Sequence, residues 1–262
     1  MQMSRLTTLT VSALAGLALT ACGSDSGGTT ESGADVVKEG TLSVCSDVPY
    51  PPFEDFDESS ESGFKGFDID IVSEVAERLD LELEVKDSSF DALQSGQALN
   101  AGQCDLAASA MTITEDREKN LDFSEGYYDS KQSLLVPAGS DIKAIGDLDG
   151  KKVGVQKSTT GKTYAEENAT GAELVEFPSD AEMFQAIKAG QVDALLQDLP
   201  VNLDHTKDGK YEVVETYETD EQYGLAMKKG NDQLVDDVNG ALEEMREDGT
   251  YEEIYNKYFE VE

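Results

Sequence analysis

The sequence predicts an α/β protein built as two lobes, and three observations carry that expectation. From Thr41 onward, short apolar runs alternate with helical patterns, the order that builds parallel sheets faced by helices. Near Lys151 the alternation starts afresh and gives a second series. The length, 262 residues with 39% hydrophobic content, suits one large domain or two modest ones with real cores.

In the first series "TLSVCS" reads as a strand. In "DIDIVSEVAERLDL", Ile71, Val72, Val75 and Leu79 share one helical face. "LELEV" alternates as a strand, "FDALQSGQALNAG" is helix-like and "CDLAASAMT" is a buried strand. The second series runs "KKVGVQ" as strand, "TTGKTYAEENA" as helix, "ELVEF" as strand, "DAEMFQAIKAG" as helix and "VDALLQD" as strand. In "NDQLVDDVNGALEEMREDG", Leu234, Val235, Val238, Ala241, Leu242 and Met245 form one face, and "TYEEIYNKYF" follows.

Ligands of open parallel sheets sit at the carboxyl ends of the strands. That rule, applied without regard to residue type, selects Asp47, Ser109 to Thr112, Gln156 to Gly161, and Gln197 with Asp198. Each group is polar or carries special backbone.

Charge narrows the partners. With 55 acidic and 20 basic residues the formal net charge is −35, which excludes nucleic acid. An acid excess of this size suits a high-salt habitat, where screening relieves self-repulsion. The opening "MQMSRLTTLTVSALAGLALTACGSDSGG" holds one basic residue and then an apolar run too short to span a bilayer, so it reads as a secretory signal. Its end, Leu19 to Gly23, resembles the lipobox of bacterial lipoproteins. That resemblance implies removal of residues 1–21, lipidation at Cys22, and an exported protein anchored to the outer face of the bacterial cell membrane. The Gly/Ser/Thr-rich stretch after it reads as a flexible tether over 22–35. Cys45 and Cys104 either pair, as export allows, or stay as buried thiols.

"SDVPYPPFE", "GFDIDIVSEVAERL", "MTITEDREKNLDFSEGYY", "LDGKKVGVQKSTTGKTYA", "DALLQD" and "LEEMREDGTYEEIYNKYF" occur in order and at natural spacing. From about Thr41 to the C-terminus the chain resembles the extracytoplasmic solute-binding proteins of polar amino acid ABC transporters, bacterial solute-binding protein family 3. The resemblance implies a type II periplasmic-binding-protein-like fold with two crossover hinge strands and a ligand cleft between the lobes. Lobe one would be 36–127 and 224–262, the hinge 128–131 and 219–223, and lobe two 132–218. It also implies a monomer that delivers an amino acid to a permease, with no enzymatic activity, cofactor or metal.

An α-amino acid carries a carboxylate and an ammonium on one carbon, and burying either without a partner is very costly. Arg117 suits the carboxylate, because guanidinium offers two parallel donors. By the family motif Thr112 adds a hydroxyl and an N–H, Ser109 and Ala110 lend main-chain groups, Thr160 donates from lobe two, and Asp198, beside Gln197, receives the ammonium. Tyr50 and Phe90 match an aromatic pair around the ligand side chain, while Phe53 reads as core. Specificity rests on Asp47 and Gln156. An acid at Asp47 pairs a distal cation or accepts from an amide, and it repels a side-chain carboxylate. In the family such an acid occurs in binders of basic amino acids and of glutamine. Gln156 departs from the lysine of the glutamine binders, so the resemblance implies arginine, lysine or ornithine, with glutamine next. The rivals are a cyclohexadienyl dehydratase-like enzyme and a binder of another polar solute such as ectoine or an opine. Against the enzyme, the one histidine, His205, lies in a polar segment that reads as solvated, and "STTGKT" lacks the earlier glycine of a phosphate loop.

Overall fold

The computed structural model describes residues 27–259. The expected signal peptide, Cys22 and the first residues of the expected tether lie outside the described residues. Among the described residues no helix is long and apolar enough to cross a membrane.

Two five-stranded sheets form the centres of two lobes. The first runs Glu82–Asp87, Thr41–Ser46, Leu106–Ala107, Ala226–Lys228, Leu121–Phe123. The second runs Glu173–Phe177, Lys152–Gln156, Ala194–Asp198, Tyr128–Pro137, Tyr211–Tyr223. In each, the three strands reached through helices are parallel, and the remaining two are antiparallel additions. The sheets are therefore mixed, where the alternating pattern alone predicts parallel ones. The added strands arrive by direct return or by crossing between lobes, without the helix that a parallel connection needs. Tyr128–Pro137 and Tyr211–Tyr223 pair with each other along both crossings, and Tyr223 also bridges to Thr112 of the first lobe.

The first lobe closes over one core. Leu42, Val44, Phe67, Ile71, Val72 and Val75 pack there with Leu234, Val238, Leu242, Met245 and Ile254 of the two C-terminal helices, Asp232–Asp248 and Thr250–Phe259. Helix Phe67–Arg78 starts behind Gly66, whose φ is 130°. A Cβ there would lie 2.1 Å from the Phe53 carbonyl, so only glycine lets the Phe53 loop rest on the helix start. Phe53 is fully buried core, with its ring centroid 5.1 Å from Tyr128 and 5.3 Å from Tyr223. The helix-like "FDALQSGQALNAG" is two short helices, Phe90–Gln94 and Gln97–Asn100, parted by left-handed Gly96.

One expectation changes here, and one open alternative closes. The tether does not reach residue 35: Gly28–Thr29 pairs with Asp35–Val36, and Ala34 is fully buried. Small apolar Ala34 and Val36 give this otherwise polar stretch something to bury, and the Asp105 carboxylate holds the next turn through the Val37 amide. Cys45 and Cys104 form a disulfide across 59 residues of sequence. Closing such a loop stabilises the fold by about 4 kcal/mol in the chain-entropy model.

In the second lobe, successive residues of Tyr128–Pro137 and Ala194–Asp198 face opposite ways. Leu134 and Leu196 join one core cluster, Leu135 and Leu195 the other. Thr159 caps helix Thr160–Asn168 by accepting from the Lys162 amide at 3.1 Å, which fixes the loop after Gln156.

Candidate functional site

The carboxyl ends of the two sheets face one another across a narrow, nearly closed cleft. From the first lobe it is lined by Asp47, Tyr50, Phe90, Ser109, Ala110, Thr112 and Arg117. The second lobe supplies Gln156, Thr159, Thr160 and Asp198. Every cleft residue selected from the sequence lines it except Gln197.

Arg117 opens a short 3-10 turn and is 6% exposed. Its Nη1 donates to the Thr112 carbonyl at 2.7 Å and its Nη2 to the Ser158 carbonyl of the other lobe at 3.2 Å. One face of Phe90 lies under the guanidinium, 5.1 Å from ring centroid to Cζ, so that face serves Arg117. Burial lowers the Arg117 pKa to about 10, opposed by the charges of Asp198 and Glu221, and the group stays a cation at neutral pH. Among the described residues it forms no ion pair, so a buried positive charge faces the cavity with only carbonyl partners.

Asp198 ends its strand at the N-cap position of helix Leu199–His205, yet its side chain makes no capping bond. Instead it accepts from Tyr50 Oη at 2.8 Å and from Gln132 Nε2 at 2.6 Å. Burial, followed by the neighbouring Glu221 charge, pushes its pKa up to about 6. Gln197 precedes it in the same strand and so points the other way. Its amide donates to Asp180 at 2.8 Å and Asn202 at 3.0 Å behind the sheet, so the placement of Gln197 in the cleft is corrected. His205 is corrected as well. It is buried rather than solvated, with Nε2 2.9 Å from Asp180 Oδ1 and its ring stacked 3.7 Å from Phe184. The polar segment around it forms the rim, while its ring turns inward under the helix.

At the far end Gln156 donates to Asp47 at 2.7 Å, and burial raises the Asp47 pKa to about 6. The Asp47 amide donates to Ser109 Oγ, which in turn donates to Glu54 at 2.7 Å. Ala110 holds a left-handed φ of 44°, and its amide is committed to Asp68 at 2.7 Å. Burial raises the Asp68 pKa to about 7, and burial followed by repulsion between the two carboxylates holds Glu54 well above the usual carboxylate range. Sequence reasoning missed this acid pair, along with Gln132 and Glu221. Glu54 and Asp68 sit in quoted motifs, and a signal existed: polar residues flanked by core aromatics must bury with partners.

The description "Bacterial extracellular solute-binding proteins, family 3" matches residues 42–261. The chain belongs to this family. The solute-binding protein is 39% identical over 204 residues to the "ABC transporter glutamine-binding protein GlnH" of Bacillus subtilis (strain 168), covering 76% of this chain and 74% of that one. Among solved structures it is similar to "An ancestral arginine-binding protein bound to arginine", with TM-score 0.79 and 39% identity over 84% of this chain and 99% of that one. It is also similar to "the ancestral amino acid-binding protein AncCDT-1, a precursor of cyclohexadienyl dehydratase", with TM-score 0.76 and 36% identity over 84% and 96%. The two-lobed architecture of this solute-binding protein is that of these neighbours.

Proposed function

We propose that this protein captures a polar L-α-amino acid outside the cell membrane and delivers it to an ABC transporter permease. The observation that carries this reading is the pair of opposite charges flanking one cavity: Arg117, buried without an acid partner, and Asp198, buried among neutral donors. A zwitterion supplies the missing partner to each. Asp47 and Gln156 stand where a side chain would end, and an acid there favours arginine, lysine or ornithine, with glutamine next. The relatives support both choices, one named for glutamine and one solved with arginine.

Ligand docks on lobe one through Arg117 and Thr112, and lobe two then brings Asp198 and Thr160. The ligand acts through its differential affinity for the closed form, which the permease reads. Arg5 and the apolar run behind it support export, and Cys22 supports a lipid anchor. Mass spectrometry of the membrane fraction checks the anchor.

Calorimetric titration with the standard amino acids tests the reading. Arginine or a near relative is expected to bind, and Arg117→Ala to weaken it at least about 100-fold, as for an ion pair broken by truncation. Asp47→Asn is expected to shift preference from arginine towards glutamine by about tenfold. Because a precursor of cyclohexadienyl dehydratase is among the neighbours, incubation with prephenate or arogenate accompanies the titration, and turnover would move the protein to the enzyme reading.

A further inference from the structure

Glu221 lies on the second crossing strand and belongs to neither half of the expected site. It shares a strand face with buried Tyr223 two residues on, so its side chain is directed between the lobes. The strand register breaks between Tyr217 and Glu221, and Asp220 takes a left-handed φ of 52°, which re-aims the strand just before Glu221. Two hydroxyls donate to the same oxygen, Glu221 Oε2: Thr112 Oγ1 of lobe one at 2.8 Å and Thr160 Oγ1 of lobe two at 2.7 Å. Gln132 Nε2 reaches its other oxygen at 3.2 Å. The hydroxyl oxygens are 3.4 Å apart.

The hydroxyl pair and the guanidinium are the groups assigned above to the carboxylate of the ligand, so this step rests on that reading. Each hydroxyl carries one hydrogen and donates it once. It cannot serve Glu221 and a ligand carboxylate together. Thr112, Arg117 and Thr160 line both the inner cavity and a groove outside it, whereas Glu221 lines only the outer groove. Half-buried at that boundary, Glu221 has open space on its outer side into which to withdraw.

The geometry points to Glu221 as a built-in competitor for the ligand carboxylate: it holds the Thr112–Thr160 hydroxyl pair, ties the lobes through it, and must yield the pair for ligand to bind. It is a positioning residue that sets affinity downward. It also explains why Thr112 and Thr160 stand so close across the cleft, with one acceptor oxygen between them.

The test compares wild type, Glu221→Gln and Glu221→Ala by calorimetry with L-arginine and L-glutamine. For Glu221→Ala the affinity is expected to rise about tenfold, the equivalent of about 1.4 kcal/mol. Glu221→Gln should fall between, since its amide oxygen still accepts but carries no charge. An unchanged or weaker affinity in Glu221→Ala overturns the proposal, and weakening is what a merely structural role predicts. Small-angle scattering of the ligand-free proteins gives a readout that needs no amino acid. Glu221→Ala is expected to have the larger radius of gyration, and equal dimensions overturn the tie between lobes. If none of the three proteins binds any amino acid, the functional reading fails while scattering still decides the tie. Circular dichroism melts confirm that each variant is folded.

Discussion

Behind the cleft the two lobes are built differently. In the first, Phe53 and Phe67 meet Tyr128, Tyr223 and Phe259 in one aromatic cluster that also seats the C-terminal helix. In the second, the corresponding layer is polar: Asp180, Gln197, Asn202 and His205 bond to one another, and Asn202 continues to Ser133 at 2.8 Å. Rings stabilise by area and tolerate small displacements, whereas a buried hydrogen-bond network fixes direction and loses heavily if one member is missing. The contrast fits the work each lobe does. Lobe one carries Arg117 and the aromatic walls on a broad platform, while lobe two must aim the short Asp198 side chain from a strand end.

Substitutions separate the two modes. The largest effect is expected from Phe53→Ala, about 3–5 kcal/mol of lost stability in a chemical melt, because a fully buried ring leaves a cavity under both crossings. His205→Ala should cost about 2 kcal/mol by leaving Asp180 short of a partner. It should also weaken ligand binding through Gln197 and the Asp198 strand end, whereas Phe53→Ala should lower stability more than affinity in the folded fraction. Equal ratios of stability loss to affinity loss in the two variants would erase the distinction.

The smallest effect concerns pH. Asp47, Glu54, Asp68 and Asp198 all hold their protons to higher pH than they would in the unfolded chain. The folded state therefore binds more protons between about pH 4 and 7. Stability is greatest at the acid end of this window and declines as pH rises through 6 to 7. The melting temperature of free protein is expected to be lower at pH 8 than at pH 5.5, by a few degrees. Ligand stabilisation should run the opposite way, because ammonium needs ionised Asp198. Three of the four acids are in lobe one, so Asp68→Asn should flatten the free-protein profile more than Asp198→Asn does.

Much of the site was legible because strand ends are legible. Asp47, Ser109 to Thr112, Gln156 to Thr160 and Asp198 follow apolar runs, and the two-lobed order follows from the restart at Lys151. Gln197 shows the limit of position alone. Adjacent strand residues face opposite ways, so Gln197 and Asp198 could not both enter the cleft, and strand alternation would have said so. Gln132 and Glu221 were hidden for a different reason. They sit on crossing strands, where the aim of a side chain depends on how two distant segments pair and on a register break that local pattern does not encode. His205 was misjudged because polar neighbours describe the rim of a helix rather than the direction of one ring.

The first lobe is assembled from two segments far apart in sequence, and its aromatic floor includes Phe259, the last described residue. A nascent chain can finish lobe two early, but it cannot complete lobe one until its final helix has been synthesised. Such wiring delays compaction of the amino-terminal half until every segment of lobe one is present.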